Sequence, residues 1–342
     1  MGAFITGSGS CLPDLVVTNE EIGARLNLEP EKIFKSSGIR QRRWVEGKVT
    51  TSSLAAEALH RALDDASLSP DSIDYLIFGT MTPDRFIPGS APSVQHALGL
   101  REIPALDIRA ACCNGLYALQ LSRALINSGA ANNVAVCLAE VQSPLLDLSP
   151  QSATLSMLFG DGAAALIVSG SHPTVTESAV APRLEILDVF LATNGQYVDD
   201  LGIRCPGSEF GDSRSHSPDD FAADYLPRMN GQSVILQASR RIVSACQAVL
   251  ERNHLSVKDI RWVVPHQANA NLLAQVARGL GLSQDSCEVI SVLEDFGNTS
   301  SASMGIAFDV LRRSNRIEAG DYLLLPAFGA GFTWGAGLCR AI

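Results

Sequence analysis

The spacing of apolar positions changes abruptly between Ala105 and Gln120. Leu106, Ile108 and Ala110 alternate as on a strand, whereas Leu116, Leu119, Leu121 and Ala124 recur at helical spacing. The segment reads as strand, tight bend and helix, with Cys112 and Cys113 in the bend. Upstream, residues 3 to 9 read as a first strand broken at Gly7, Gly9 and Pro13, and Thr18 with Glu21 predicts a capping box for a helix through Leu26. A basic bend runs from Gly38 to Trp44. Ser52 to Ala66 carries one apolar helical face, Tyr75 to Thr80 is a buried strand, Pro92 to Leu98 a helix, and Asn133 to Glu140 a strand beyond a helix that ends near Ser128. Strands alternating with helices predict an α/β fold with a mostly parallel sheet.

The second half of the chain repeats the first. Leu68-Ser69 with Ile73-Asp74-Tyr75-Leu76-Ile77 matches Leu255-Ser256 with Ile260-Arg261-Trp262-Val263-Val264 at a separation of 187 positions. Leu98-Gly99-Leu100 matches Leu280-Gly281-Leu282 at 182, and Phe159-Gly160-Asp161-Gly162 resembles Phe328-Gly329-Ala330-Gly331 at 169. One duplicated unit is therefore expected, with halves over residues 1–175 and 176–342. At a separation of about 185 the counterpart of Cys113 is Asn298, at a bend between a strand over Glu288 to Leu293 and a helix from Ser301. Such bends line the functional crevice of α/β sheets. Between the halves, the polar stretch Asn194 to Gly231 has the length of a cap or binding loop, or of a solvated excursion.

Composition narrows the class. The chain has 342 residues, 46% apolar and 18% charged, enough for a large core without a disordered bias. A formal charge of −10 argues against nucleic acid or an anionic membrane as a partner. No apolar run reaches the length of a membrane span, and the N-terminus opens as a strand rather than a signal region, so a soluble cytoplasmic protein is expected. The eight cysteines form no CxxC pair and no zinc-type spacing, so they are expected to be free thiols, with no metal site.

Three bends carry candidate chemistry. A cysteine at a helix N-terminus meets free N–H groups and the positive end of the dipole, which favour the thiolate. The same residues also suit a buried core position. The strand from Ile260 to Pro265 ends in His266-Gln267-Ala268-Asn269 before a helix to Leu280, and Asn298 follows another strand. Singly, such a histidine is a structural hydrogen-bonding residue and such an asparagine a helix cap. Jointly, three strand ends each offering one reactive or donor side chain predict a Cys/His/Asn site for thioester chemistry.

The segments AACCNG, PHQANANLL, FGNTSSAS and AFGAGFTWGA, with GIR near the start and FGDGAAA at mid-chain, resemble the ketoacyl synthase III branch of the thiolase superfamily. The resemblance spans essentially the whole chain. It implies a duplicated thiolase-like fold in five layers, αβαβα. Cys113, two residues before Gly115, would be the acyl-accepting nucleophile, and His266 and Asn298 would supply Nε2–H and Nδ2–H to an enolate. The N–H groups of Cys113 and Ala330 would form the oxyanion hole, with Gly329 and Gly331 freeing that loop. Substrate contacts would fall at Phe86, Arg40, Gln232, Ile235, Gln267, Asn269 and Phe328. The implied reaction loads an acyl group from acyl-CoA and condenses it, with decarboxylation, onto malonyl-CoA or an acyl carrier protein thioester to give a 3-oxoacyl thioester. It needs no cofactor. Fatty acid or polyketide biosynthesis and a homodimer with Phe86 near the partner's pocket are implied as well.

Departures from the family pattern fall outside the reacting groups. Where relatives sandwich the adenine of CoA between tryptophan and arginine, this chain has Lys32 and Ala153, and a carrier-docking arginine is replaced by Asn271. The basic bend at Arg40, Arg42 and Arg43 could hold phosphates or form internal ion pairs. Two other readings stay open: an acyltransferase passing the acyl group to oxygen or nitrogen, which would not need Asn298, and a silent partner subunit, which would have lost one of the three residues. A thiolase would need a second cysteine where this chain has Pro326-Ala327-Phe328.

Overall fold

The computed structural model describes residues 2–170, 182–208, 224–282 and 287–342. In chain order its strands are β1 (Ala3–Cys11), β2 (Leu15–Thr18), β3 (Gln41–Trp44), β4 (Tyr75–Gly79), β5 (Ala105–Ile108), β6 (Asn133–Glu140) and β7 (Gly162–Gly170). The second series is β8 (Leu184–Thr193), β9 (Leu201–Gly202), β10 (Arg228–Met229), β11 (Ile260–Val263), β12 (Glu288–Val289), β13 (Tyr322–Gly329) and β14 (Thr333–Ala341).

Ten of these join in the order β12-β11-β13-β14-β8-β1-β7-β6-β4-β5. Read outward from the middle, the two wings are β1-β7-β6-β4-β5 and β8-β14-β13-β11-β12, the same five-strand pattern twice. The wings meet through the short antiparallel pairing of Phe4 with Glu185 and Ile5 with Leu184. Within each wing the outer three strands are parallel and the inner pairs antiparallel. The duplication expected from sequence is therefore a topological one, while the expected boundary at 175/176 lies outside the described residues.

Helices complete five layers. Thr51–Ala66 packs on β1, β7 and β6, and Gly231–Arg252 packs on β14, β13 and β8. Between the wings lie Asn114–Asn127, against β6 and β8, and Ser303–Arg313, against β7 and β1. Ser303–Arg313 buries nearly all of its faces, whereas Asn114–Asn127 leaves Gln120, Leu121, Ala124 and Asn127 exposed; Asp309 is held by hydroxyl donors from Ser8 and Ser10 of β1, at 2.7 and 2.6 Å. Local signals hold where they are self-contained. Thr18 caps Asn19–Leu26 with the reciprocal Glu21 bond, and Asn133–Glu140 is a strand over its expected range.

Two expectations are corrected. The basic bend is instead strand β3, paired antiparallel with β2. The strand expected over Glu288 to Leu293 stops at Val289, because Leu293–Phe296 winds into one helical turn before Asn298.

Candidate active site

Strand β5 ends at Ile108, and the chain turns through a 3₁₀ segment, Ala111–Cys113, into the central helix Asn114–Asn127. Asn114 Oδ1 clamps this bend by accepting from Ala110 N–H at 2.6 Å, and Ala111 adopts φ 49°. That left-handed conformation is costly for a non-glycine residue and swings the next side chain out of the helical path.

The side chain so turned is Cys112. It lines a cavity of about 580 Å³ together with Phe86, Arg109, Leu145, Leu155, Phe159, Ile203, Ser300 and Ala330. Cys113, the residue that spacing to Gly115 singled out, is 0% exposed in the core and its thiol donates to Thr333 O at 3.4 Å. Its N–H is also spent, closing the 3₁₀ turn onto Ala110 O at 3.0 Å. Among the described residues, the Cys112 N–H bonds to no other residue. A Cβ added to Gly329 would lie 2.8 Å from that nitrogen, so the Gly329-Ala330 loop is packed directly over it. The cavity thus meets Cys112 and not Cys113, the residue the spacing singled out, and Ala330 lines the same cavity.

His266 and Asn298 come from the other wing and sit just behind the cavity wall, each 6% exposed. What joins them to Cys112 is Ser300, which the sequence reading overlooked. Its Oγ is 3.4 Å from Cys112 Sγ, and its N–H donates to Asn298 Oδ1 at 2.8 Å. Its carbonyl accepts from Ser303 Oγ at 2.9 Å, and Ser303 Oγ is 2.7 Å from His266 Nδ1. The bond from Ser300 uses the oxygen of the Asn298 amide and leaves its NH₂ for a ligand. Ser303 also accepts from Gln267 N–H at 3.0 Å, so its one proton selects the imidazole tautomer. Donated to Ser300 O, it leaves Nδ1–H on His266 and a lone pair on Nε2; donated to Nδ1, it gives Nε2–H.

Burial sets the charge states. It pushes the Cys112 thiol up to about 11, opposed by the hydrogen bond from Ser300 and reinforced by the buried Glu140 carboxylate. It pushes Cys113 well above its ordinary value. The thiolate expected from the helix N-terminus is therefore outweighed by desolvation at both residues. Burial lowers His266 to about 4, opposed by its hydrogen bond to Ser300, so the imidazole is neutral near pH 7.

Most of the remaining substrate-contact expectations become structural roles. Gln267 is fully buried, donating to Pro265 O and Ile290 O and accepting from Val292 N–H. Asn269 caps the helix Ala270–Leu280 and donates to Ser36 O. Phe328 packs on Phe332, ring centres 4.9 Å apart, in the core. Gln232 and Ile235 lie in the first turns of Gly231–Arg252, away from the cavity lining, and Arg40 pairs with Glu294. Phe86 does line the cavity, at its rim, and is 64% exposed. The long polar loop supplies a wall through Leu201, Ile203, Pro206, Tyr225 and Pro227, while its residues 209–223 lie outside those described.

Lys32 is exposed on the helix Pro30–Ser37, Ala153 is buried, and Asn271 donates to Lys35 O and Ser36 O. The basic run is spent internally: Arg42 is fully buried, donating to Asn19 Oδ1 and Met157 O, and Arg43 donates to Pro13 O and Asp14 O. A second, polar cleft of about 730 Å³ holds Arg312 and Arg313, paired with Asp65 and Asp309, and is lined by no thiol or imidazole. Among the described residues no helix is long and apolar enough to cross a membrane.

Comparison with known proteins agrees with this architecture. Residues 250–341 match the family described as 3-Oxoacyl-[acyl-carrier-protein (ACP)] synthase III C terminal, and residues 106–195 match 3-Oxoacyl-[acyl-carrier-protein (ACP)] synthase III. Residues 39–145 match the thiolase N-terminal domain. The beta-ketoacyl-[acyl-carrier-protein] synthase III of Erythrobacter litoralis is 38% identical over 99% of both chains. The chain belongs to the 3-oxoacyl-[acyl-carrier-protein] synthase III family. A Streptomyces coelicolor synthase III is also 38% identical, over 98% of this chain and 96% of its own. Among solved structures, the synthase III from Aquifex aeolicus superposes with a TM-score of 0.85 at 31% identity, covering 99% of this chain and 100% of that one. The priming beta-ketosynthase of the R1128 polyketide pathway superposes at 0.86 with 30% identity, covering 99% and 96%. As a member of this family the protein is a condensing enzyme of the transferase class, on a thiolase-like fold.

Proposed function

We propose that the protein accepts an acyl group from a thioester on Cys112 and condenses it, with decarboxylation, onto a malonyl thioester. The observation that carries this reading is the convergence on Ser300: its hydroxyl meets the Cys112 sulfur, its N–H the Asn298 amide, and its carbonyl the Ser303–His266 pair. An acyl transfer to oxygen or nitrogen would leave the free NH₂ of Asn298 without a task.

In the first half-reaction Cys112 Sγ bonds to the acyl carbon, and the carbonyl oxygen takes up charge beside the N–H groups of Cys112 and Ala330. The carrier sulfur leaves and takes the thiol proton with it. The malonyl thioester then loses carbon dioxide, and the electron pair of the broken bond becomes an enolate. Asn298 Nδ2–H and His266 Nε2–H, the latter present once Ser303 turns its proton from Ser300 O to His266 Nδ1, donate to the enolate oxygen. The enolate carbon attacks the acyl-cysteine, Cys112 Sγ departs, and a 3-oxoacyl thioester is released. The largely apolar cavity wall suits the acyl chain, and carrier proteins or CoA suit the donor side by analogy with the named relatives. A homodimer completes the reading, with Phe86 facing the partner.

Incubation with a panel of acyl-CoAs, intact mass and peptide mapping tests it. A stable acyl adduct on Cys112, discharged with release of carbon dioxide when malonyl thioester is added, is expected. An adduct on Cys113, or discharge without carbon dioxide, would overturn the assignment.

A further inference from the structure

We infer that Ser300 is a further catalytic residue: its hydroxyl donates a hydrogen bond to the Cys112 sulfur and favours the charged, attacking form. The inference rests on the reading of Cys112 as nucleophile. The two atoms are 3.4 Å apart, within reach for a sulfur acceptor, and both residues line the cavity. Among the described residues Ser300 Oγ makes no other hydrogen bond. A buried serine in a 3₁₀ or helical turn ordinarily bonds back to a carbonyl three or four residues earlier, as Ser303 Oγ does to Ser300 O. Ser300 is 5% exposed and does not, so its proton is available to the sulfur.

The backbone holds that hydroxyl in place at a cost. Ser300 adopts φ 47°, and its N–H and C=O are pinned by Asn298 Oδ1 and Ser303 Oγ. Strain of this kind persists only where the surroundings over-determine it. The same two bonds orient Asn298 and His266, so one strained residue aligns the groups of both half-reactions. Ionisation is opposed by the burial of the bend and by Glu140 at the end of β6, which itself accepts from Thr82 Oγ1 and Ser301 Oγ, and is favoured, besides Ser300, by the Cys112 backbone N–H. Cys113, the adjacent thiol, is neutral. Ser300 is thus the one side chain among the described residues whose hydrogen bond favours the Cys112 thiolate.

The test is the rate of Cys112 alkylation by iodoacetamide between about pH 7 and about pH 11, the latter being where burial places the thiol. Wild type is compared with Ser300→Ala and Ser300→Gly, the adduct located by peptide mass. Glycine is unstrained at positive φ, so the second variant keeps the fold and separates the hydroxyl from the backbone. Loss of a hydrogen bond to a charged sulfur should move the profile up by about one pH unit. Both variants should therefore react about tenfold more slowly from about pH 7 to about pH 10, the gap narrowing to about fivefold at about pH 11, where about half of the wild-type thiol is ionised. Coincident profiles with Cys112 labelled would overturn this inference alone, as would a uniform slowing at every pH, which reports blocked access. Labelling of Cys113 in the wild type would overturn the nucleophile assignment and this inference with it.

Discussion

The bend at Ala110–Asn114 and the bend at Asn298–Ser303 occupy equivalent places in the two wings, and their backbones are nearly the same. Each leads through a 3₁₀ turn into a central helix, each opens on a residue at positive φ, Ala111 at 49° and Ser300 at 47°, and each is clamped by an asparagine side-chain oxygen. Their chemistry is different: one presents a thiol, the other the amide of Asn298. Duplication supplied a strained turn twice, and in the proposed reaction side chains alone make one a nucleophile and the other part of a cradle for developing charge. The true register between them is 189 positions, from Ala111 to Ser300, so Cys112 is the counterpart of Ser301 and no cysteine is the counterpart of Asn298.

The sharpest way to break this division is at the sulfur. Cys112→Ala should abolish acyl loading, whereas Cys113→Ala should load normally and lose about 1 kcal/mol of stability, as small buried side chains do; intact mass and thermal melting read the two effects. Loading that survives in Cys112→Ala and fails in Cys113→Ala would move the nucleophile back into the core.

In the opposite wing, His266→Ala and Asn298→Ala each remove a proposed donor to an oxyanion, worth about 2.7 to 4 kcal/mol, or 10²- to 10³-fold in rate. Release of labelled carbon dioxide should fall by that factor while single-turnover acylation persists. An equal fall in both steps would show that the two bends do not divide the labour.

The opposite wing should also announce itself in stability. His266 is held near 4 against an ordinary value of 6.5. On acidification the unfolded chain takes the proton first, so stability is full above about pH 6.5 and is lost progressively down to about pH 4. The span corresponds to about 3 kcal/mol. Urea titrations at several pH values should show that loss in the wild type and not in His266→Gln; parallel pH dependences would mean that the imidazole is not buried neutral.

The smallest effect lies outside both bends. Lys32 is exposed, Ala153 is buried and Asn271 is bonded to backbone carbonyls, so the CoA stacking and carrier contacts that the resemblance implies for these positions would be missing. A pantetheine thioester should then acylate Cys112 within about tenfold of the CoA thioester, since one stacking or cation–π contact contributes about 0.5 to 2 kcal/mol. A thousandfold preference for CoA would show that other residues hold the nucleotide.

Much of this protein was legible in its sequence. Apolar periodicity gave Asn133–Glu140 as a strand, the capping box gave Asn19–Leu26, and internal matches revealed the duplication, because these signals depend on neighbours or on copies of themselves. His266, Asn298 and Ala330 were legible as members of the family's motifs, although the strand expected before Asn298 ends at Val289. The choice between Cys112 and Cys113 was not, because adjacent residues at a bend share every sequence signal and differ only in direction. The positive φ of Ala111 decides that direction, and the packing of Gly329 over the Cys112 nitrogen holds it. Nor could sequence show Ser300 as the junction of the site, since Asn298 and Ser303 are its neighbours in the chain but Cys112 lies 188 positions away and meets it only when the two wings close on one another. The charge of the thiol was decided in the same way: a helix N-terminus can be read from the chain, but the burial that outweighs it exists only in the folded protein.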